Sequence, residues 1–571
     1  MTETTIQTKQ CAHCQSSFDI TDKDLEFYDK VSPIVWWKKQ LIPPPTFCPD
    51  CRQQRRLSRN NEMRLYKRAC ALCGKNVVSL YSPEKEVTTY CQQCRWSDAW
   101  DVMQYGQDYD PNTSFFKQFD ALNKKVPYPA VSTNFLMDEN SEYTNYGGSN
   151  KNCYLIFHAD YNWDCYYGYG VKTVEASMDM YNVFESNFMY QCVDCLKCYD
   201  LAFSQDCEEC SRSYFLRDCV GCKDCICCVN LRQQQYCIFN KKYTKEEYEQ
   251  KKKEMNLHLA SSLSQLQTKL QELSLSLPHK CVHINYNENG SGDYVYYSKN
   301  VSKSFNVNGL YDGKFCYQIY NGAKDCYDMY QFGLKTEKIY EWSIVGYDSY
   351  NLFACHTCSE RASNLCYCAK CTNATNLFGC VGVRNNKEYC ILNKQYTKDE
   401  YEELVPQIIE KMKSDWEWWE FFPAALSQFG YNETTAQEYF PLSKDEAIKQ
   451  GFNRSDYEAP FPQVEKILKA EQLPPDISLV SDDILKRAIQ CEVSKKPFRI
   501  IPQELAFYRK HNLPLPHRHP DVRHAERFAM RNPRKLRDRK CMKCWVDIQT
   551  SFAPEMPEVV YCEACYDKEV Y

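Results

Sequence analysis

The sequence predicts a mainly β chain with helical segments, in which duplicated, cysteine-rich β-solenoid-like repeats are flanked at both ends by zinc modules. Three observations lead there. Paired CxxC motifs stand near each terminus, central cysteines recur at multiples of three residues, and a long central stretch is written twice. The chain has 571 residues, with 36 Cys, 44 Tyr, only 18 Gly and a formal net charge of −5. That length allows several cored domains, and the charge excludes a global polyelectrolyte. The opening MTETTIQTKQ lacks the basic and then apolar pattern of a signal peptide. No apolar run approaches the roughly 18 residues of a membrane span. A cysteine-rich chain without a secretion signal is expected to be reduced, metal-binding and cytoplasmic, with no membrane partner.

The zinc modules come first. Cys11 and Cys14 pair with Cys48 and Cys51, and Cys70 and Cys73 pair with Cys91 and Cys94. Near the other end, Cys541 and Cys544 pair with Cys562 and Cys565. A CxxC turn offers two soft donors from one loop, and a second CxxC completes a tetrahedron. The spacer is 17 residues in both the Cys73–Cys91 and Cys544–Cys562 intervals, which suits a zinc ribbon. The insert from Cys14 to Cys48 is 33 residues, room for strands and a helix. Four protein ligands leave no open coordination position, so three structural Zn2+ sites are expected.

The two ends are copies. Phe18-Asp-Ile20 and Leu25-Glu-Phe27-Tyr28 match Phe498-Arg-Ile500 and Leu505-Ala-Phe507-Tyr508, and Cys48-Pro-Asp-Cys51-Arg52 matches His519-Pro-Asp-Val522-Arg523. The copy is degenerate at its first site. Cys491 is retained, while Ser494 and Val522 replace two cysteines. Cys491 with His519, and His517 or His524 nearby, is the candidate for a fourth zinc, set against packing in place of metal.

The motif string CxxC…FxI…LxFYxK…PxPxxCPxCRxxRR resembles the treble-clef probable zinc-ribbon module. The whole arrangement is similar to large zinc-ribbon proteins of candidate-phyla-radiation bacteria, a group that brings no established activity to carry over. The resemblance covers essentially the whole chain and is most specific at the terminal modules. The departures at Ser494 and Val522 put only the fourth metal in doubt.

In the middle, cysteines fall at 153, 165, 192, 195, 198, 207, 210, 219, 222, 225, 228 and 237, all multiples of three, with Cys227 the exception. Period three is neither helix nor flat strand. A narrow solenoid with one residue in three pointing inward would show it, and cysteine suits a tight interior as a small hydrophobe. A second copy follows. Its firmest match sets Tyr236-Cys-Ile-Phe-Asn-Lys-Lys-Tyr-Thr-Lys-Glu-Glu-Tyr248 beside Tyr389-Cys-Ile-Leu-Asn-Lys-Gln-Tyr-Thr-Lys-Asp-Glu-Tyr401. Thr244 and Thr397 read as N-caps. A helix over 245–275 that projects or caps the stack is expected, with a shorter one from 398. At an offset of 152 residues, Cys222 and Cys225 become Ala374 and Leu377. A core residue is exchanged that way more readily than a ligand, so packing is preferred over a metal cluster.

Two connectors are basic. Arg52, Arg55, Arg56, Arg59, Arg64, Lys67 and Arg68 stand against one acid between Cys51 and Cys70. The C-terminal copy, Arg518 to Lys540, holds nine Lys or Arg, among them Arg523, Arg527, Arg531, Arg534, Lys535, Arg537 and Arg539. Segregated charge of this kind is a footprint for phosphate contacts, and Trp96, Trp100 and Tyr105 could stack on unpaired bases. The bland reading is that the arginines pair with the acidic body of the same chain, or stabilise zinc-bound thiolates.

The domain reading is consecutive: 1–105 a double zinc module, 106–150 a connector, 151–243 the first repeat, 244–278 a helix, 279–397 the second repeat, 398–458 a helix and aromatic strap, 459–482 a linker with Pro460 and Pro462, and 483–571 the C-terminal module, entered through a short helix over 479–489. No catalytic signature is found, and no small-molecule substrate is identified. His356 between Cys355 and Cys358 is weighed as a Cys–His pair and set aside. The expected function is a non-enzymatic zinc scaffold that binds RNA or a ribonucleoprotein through the arginine connectors. The alternatives are a protein-interaction scaffold using tyrosine-rich solenoid faces, and a redox or cluster protein using the central thiols.

Overall fold

The computed structural model describes residues 3–35, 38–134, 136–320, 322–458, 460 and 463–571. Pro462 of the expected linker lies outside them. The chain forms two compact units, and they interleave along the sequence instead of following the consecutive blocks just given. The first unit is Met1–Ala130, Val282–Tyr457 and Arg534–Leu536; the second is Val131–Cys281, Glu458–Pro533 and Arg537–Tyr571. The N-terminal cysteine modules therefore belong with the second central copy, and the C-terminal module belongs with the first.

Each unit is built on a ladder of parallel strands. In the second unit Tyr154 pairs with Tyr166, Asn187 with Tyr199, Tyr199 with Ser211, Ser211 with Lys223 and Lys223 with Gln235, so each partner lies 12 residues on. In the first unit the step is 12 from Lys299 to Tyr311, then 13 to Lys324, Glu337 and Tyr350 in turn.

The period of three has a backbone cause. Asn152, Leu155, His158, Tyr161, Asp164 and Tyr167 all have φ between 51° and 60°. Two extended residues are followed by one left-handed residue that turns the chain, and the residue after each turn faces inward. Left-handed backbone costs an ordinary residue roughly 1 kcal/mol, less for Asn and Asp. Those two types supply many of the corners and bond to their counterparts in adjacent coils, as in Asn140–Asn152 at 3.1 Å and Asn364–Asn376 at 3.0 Å. In three of the coils with a thirteenth residue two left-handed residues stand together: Gln331 with Phe332, Glu360 with Arg361 and Asn385 with Asn386.

The inward positions explain the cysteines. More than half of the core cluster of the second unit is cysteine, all of it buried. These side chains carry backbone hydrogen bonds that a hydrocarbon could not. Ser213 Oγ donates to Ser211 O at 2.8 Å and accepts from Cys225 N at 3.0 Å. Cys210 does the same with sulfur: its one S–H can donate to Glu208 O at 3.4 Å or to Cys219 O at 3.3 Å, and its Sγ accepts from Cys222 N at 3.4 Å. In the first unit Cys355 accepts from Cys368 N at 3.2 Å, and Cys358 from Cys371 N at 3.3 Å. Turning every third residue leaves N–H groups pointing into the core, and a buried N–H must be satisfied. Cysteine and serine are small enough to fit there and polar enough to serve; cysteine also supplies apolar surface.

Helices and loops cover the ladder faces. The expected helix over 245–275 is two helices, Lys245–Glu254 and Ala260–Leu275. It neither projects nor caps. Leu263, Leu266 and Leu270 pack on Phe215, Ile226 and Cys227, which explains the one cysteine off the three-residue lattice. Both Thr244 and Thr397 form capping boxes, but the helix after Thr397, Lys398–Ser414, is longer than either of the first copy's. In place of a helix over 479–489 there are 3-10 turns at Ile477–Leu479 and Asp482–Lys486, then a strand, Ala488–Gln490, that pairs with Ile467–Lys469 and Pro497–Phe498.

Candidate metal centres

All three four-cysteine sets assemble, with the ligand atoms of each set within 4.8 Å of one another. Each begins at a strand end where the first cysteine closes a tight turn. Gln15 N donates to Cys11 O at 3.0 Å, Gly74 N to Cys70 O at 2.9 Å and Trp545 N to Cys541 O at 2.9 Å. The residue completing each turn is left-handed, with φ of 62° at Gln15, 74° at Gly74 and 63° at Trp545. The second pair comes from a helix N-terminus, with Cys48, Cys91 and Cys562 as N-cap residues.

The two halves meet through one repeated contact: Cys48 N to Cys11 Sγ, Cys91 N to Cys70 Sγ and Cys562 N to Cys541 Sγ, each 3.2 Å. Across the sites Cys14–Cys48, Cys73–Cys91 and Cys544–Cys562 sulfurs stand 3.7, 3.9 and 3.6 Å apart. Tetrahedral thiolates around zinc would stand about 3.8 Å apart, given bonds of about 2.3 Å. Burial opposes charge on Cys70 and Cys541, yet the N–H groups aimed at their sulfurs pull both thiols down to about 6. The neighbouring Cys51 thiol, with backbone help, pulls Cys48 to about 5. In each set the partner thiols are pushed the other way: the Cys48 thiol raises Cys51, and burial raises Cys91, Cys94 and Cys562. The sets are soft-donor sites that could hold metal ions, and they are compatible with zinc.

The Cys491 site keeps the scaffold and loses the donors. Lys495 N donates to Cys491 O at 3.1 Å, Lys495 is left-handed at φ 59°, and Ser494 N donates to Cys491 Sγ at 3.4 Å. His519 occupies the helix N-cap, where its Nδ1 accepts from Asp521 N at 3.1 Å. His517 pairs with Glu492 and His524 packs against Tyr169 and Tyr181. Among the described residues no group of three donors includes Cys491 or His519. Cys491 instead joins an apolar cluster with Phe498, Ile500 and Leu505, with Val522 against it. The candidate fourth centre is corrected to a packed one.

The arginines do not face solvent as a phosphate footprint would. The helix Pro49–Leu57 buries Arg52, Arg55 and Arg56. Arg52 Nη2 and Arg56 Nη2 meet Asp328 at 2.8 and 3.0 Å, and Arg55 Nη1 meets Glu420 at 2.6 Å. Glu341 stands 3.4–3.5 Å from all three. Arg59 is buried over the Phe422 ring at 4.9 Å. The copy helix, Pro520–Ala529, repeats the arrangement in the other unit. Arg523 and Arg527 share Asp179, and Arg531 Nε meets Asp194 at 2.6 Å. Burial works against the Arg523 charge, and Asp179 holds it well above the ordinary value. Arg68 donates to the carbonyls of Ser82, Lys85 and Val87, and Arg537 and Arg539 to those of Ser551 and Ala553. Arg534 lies over the Tyr439 ring at 4.0 Å. Arg64, Lys67 and Lys535 are exposed. The eight arginines of the two helices and their flanks, Arg52, Arg55, Arg56 and Arg59, then Arg523, Arg527, Arg531 and Arg534, are engaged inside their own units and are not laid out along a surface as contacts to a nucleic-acid backbone would be.

Sequence reasoning had raised the bland alternative but could not name Asp328, Glu341 or Asp179. The signal is faint: acids at ladder positions facing a module that is remote in sequence. Among the described residues, the donor groups close enough to hold a metal ion include none of the central thiols. His356 is buried and its Nε2 donates to Asn60 Oδ1 at 2.8 Å, so it is a packed residue and does not activate Cys355. Comparison with protein-family models, curated proteins and solved structures returns no match.

Proposed function

We propose that the protein is a non-enzymatic scaffold in which zinc fills the three four-cysteine sites and two β-solenoid bodies present surfaces to a protein partner. One observation carries this reading: the arginine helices are consumed as clamps, each braced by cysteine modules and inserted against the acids of a ladder. A clamp that locks its own body is a structural device, and it leaves the solenoid faces as the recognition surface. Those faces are rich in aromatic side chains. Tyr286 and Tyr297 stack at 4.9 Å with 78% and 56% of their surfaces exposed, and Tyr161 and Trp163 are exposed on the other unit. Tyrosine is a common interface anchor. Of the basic residues named for RNA, Arg64, Lys67 and Lys535 are exposed and Arg68, Arg531, Arg534, Arg537 and Arg539 half-buried, which favours a protein partner over RNA.

The experiment is metal analysis combined with affinity capture before and after nuclease. The reading expects three zinc per chain and a protein partner that survives nuclease. A partner lost on RNase treatment would overturn the choice of protein over RNA, and colour with iron in the preparation would overturn zinc.

A further inference from the structure

The first unit contains a group of buried cations with no acidic partner. Arg59, Arg95 and Lys370 are 4%, 4% and 8% exposed. Every other guanidinium in the arginine helices that is buried as deeply meets a carboxylate. Arg59, Arg95 and Lys370 form no ion pair among the described residues. Arg59 Nε and Nη1, Arg95 Nη1 and the nearby Asn123 Nδ2 have no hydrogen-bond partner at all.

Tyr128 is the group all three act on. Lys370 Nζ lies 4.3 Å from the Tyr128 ring centroid and donates to Tyr81 Oη at 2.6 Å. Arg59 and Arg95 both act electrostatically on the Tyr128 hydroxyl, which bonds Asn123 Oδ1. Burial, then Arg95 and Arg59, pulls the Lys370 ammonium down to about 7. The same field, after burial, holds His356 neutral. The acid that acts on Arg59, Asp120, pairs instead with Lys124 at 2.6 Å. Burial opposes charge on Cys371 while Cys358, Cys368 and Arg95 pull its thiol down, but its sulfur is turned to Ala369 O and Cys380 O at 3.5 Å and accepts from none of the unused N–H groups. Aromatic faces at Phe422, Trp100 and Tyr128 offset part of the charge. They accept none of the unused N–H groups.

An uncompensated buried cation is among the costliest features a core can hold. The second unit avoids it: the terminal copy has Met530 where Arg59 stands, and the 152-residue offset puts Asp218 where Lys370 stands. The cation group is therefore a property of the first unit and no requirement of the shared fold.

We propose that the first unit binds a small oxyanion of the phosphate type among Arg59, Lys370 and Arg95, beside Tyr128. Guanidinium forks and an ammonium are the donors suited to such an ion, and burial restricts the ligand to a free ion and excludes the phosphate of a polymer.

The test uses the full chain with its metal, moved into chloride buffer. Inorganic phosphate is titrated at constant ionic strength, with calorimetry and thermal unfolding as readouts. The parent should show one saturable site and a rising Tm. Lys370→Met and Arg59→Met should each weaken phosphate binding at least about tenfold, while Lys370→Arg retains it. A sign test guards against mere misfolding. If the anion site exists, K370M is more stable than the parent in chloride, because a buried charge is gone, and less stable in saturating phosphate, because a ligand contact is gone. K370M more stable in both buffers, or a parent whose Tm ignores phosphate, would overturn the proposal. Equal stabilisation by chloride would overturn the oxyanion class.

Discussion

Replacing Asp328 by alanine probes the clamp directly. Asp328 is fully buried and accepts from Arg52 Nε at 2.9 Å, Arg52 Nη2 at 2.8 Å and Arg56 Nη2 at 3.0 Å. Its removal leaves two buried guanidinium groups sharing Glu341, which stands 3.5 Å from each. Breaking one side of a buried pair costs about 3–5 kcal/mol, because the remaining charge is stranded. An exposed pair such as Lys444–Asp456, at 2.9 Å, should cost less than about 1 kcal/mol. Urea unfolding of the metal-loaded chain, followed by near-UV circular dichroism, would measure both. The chain has two units, so the midpoint of the phase lost first is the quantity to compare. The clamp account also expects rescue: D328L combined with R52M and R56M replaces the network by hydrocarbon and should recover much of the loss. If D328A costs no more than the surface control, the arginine helix is not a clamp and the argument against a phosphate role collapses.

Other expectations follow from the same geometry. Asp179→Ala should destabilise the second unit by a similar amount, about 3–5 kcal/mol, since Arg523 and Arg527 share that carboxylate; limited proteolysis should show cleavage first within 131–281. Ser213→Ala should cost about 1–3 kcal/mol by leaving Cys225 N unpaired, whereas Ser213→Cys should cost far less, as read by chemical denaturation. In oxyanion-free chloride buffer, stability should rise with pH from about 7 to about 10, because Lys370 releases its proton at about 7 when folded and near 10.4 when unfolded, so the unfolded chain holds the extra proton across that window. K370M should lack that rise in pH-dependent melting curves. Cys48→Ser or Cys562→Ser should each remove one of three zinc equivalents by elemental analysis and lower the Tm of the unit that carries it.

The parts of this architecture that are local in sequence were legible. A CxxC pair states its own geometry: the turn, the left-handed residue after it and the helix-capping second pair all lie within a few residues. The three-residue lattice was legible for the same reason, since every corner repeats. What the lattice could not reveal is why cysteine and serine alternate on it. That depends on which N–H groups the corners turn inward, a fact of backbone conformation. The arginines were misread because their density is a local signal while their partners are not. Asp328 lies 276 residues from Arg52, and Asp179 lies 344 from Arg523. The Cys491 site was read correctly as eroded. That packing had taken over needed Val522, Phe498 and Ile500 to be seen around the thiol.

The interleaving of the two units bears on how the chain comes to be made. Residues up to 130 emerge from the ribosome with their arginine helix already braced but with Asp328 and Glu341 still unsynthesised. The ladder of 131–281 in turn emerges well before the helix Pro520–Ala529 that neutralises Asp179. Each half thus waits, with unpaired charges and open strand edges, for a piece encoded far downstream. Contacts of that separation form slowly and leave nascent chains open to aggregation. A stop codon upstream of Pro520 would therefore strike the ladder of 131–281, and a defect written late in the message would be felt in a body made much earlier.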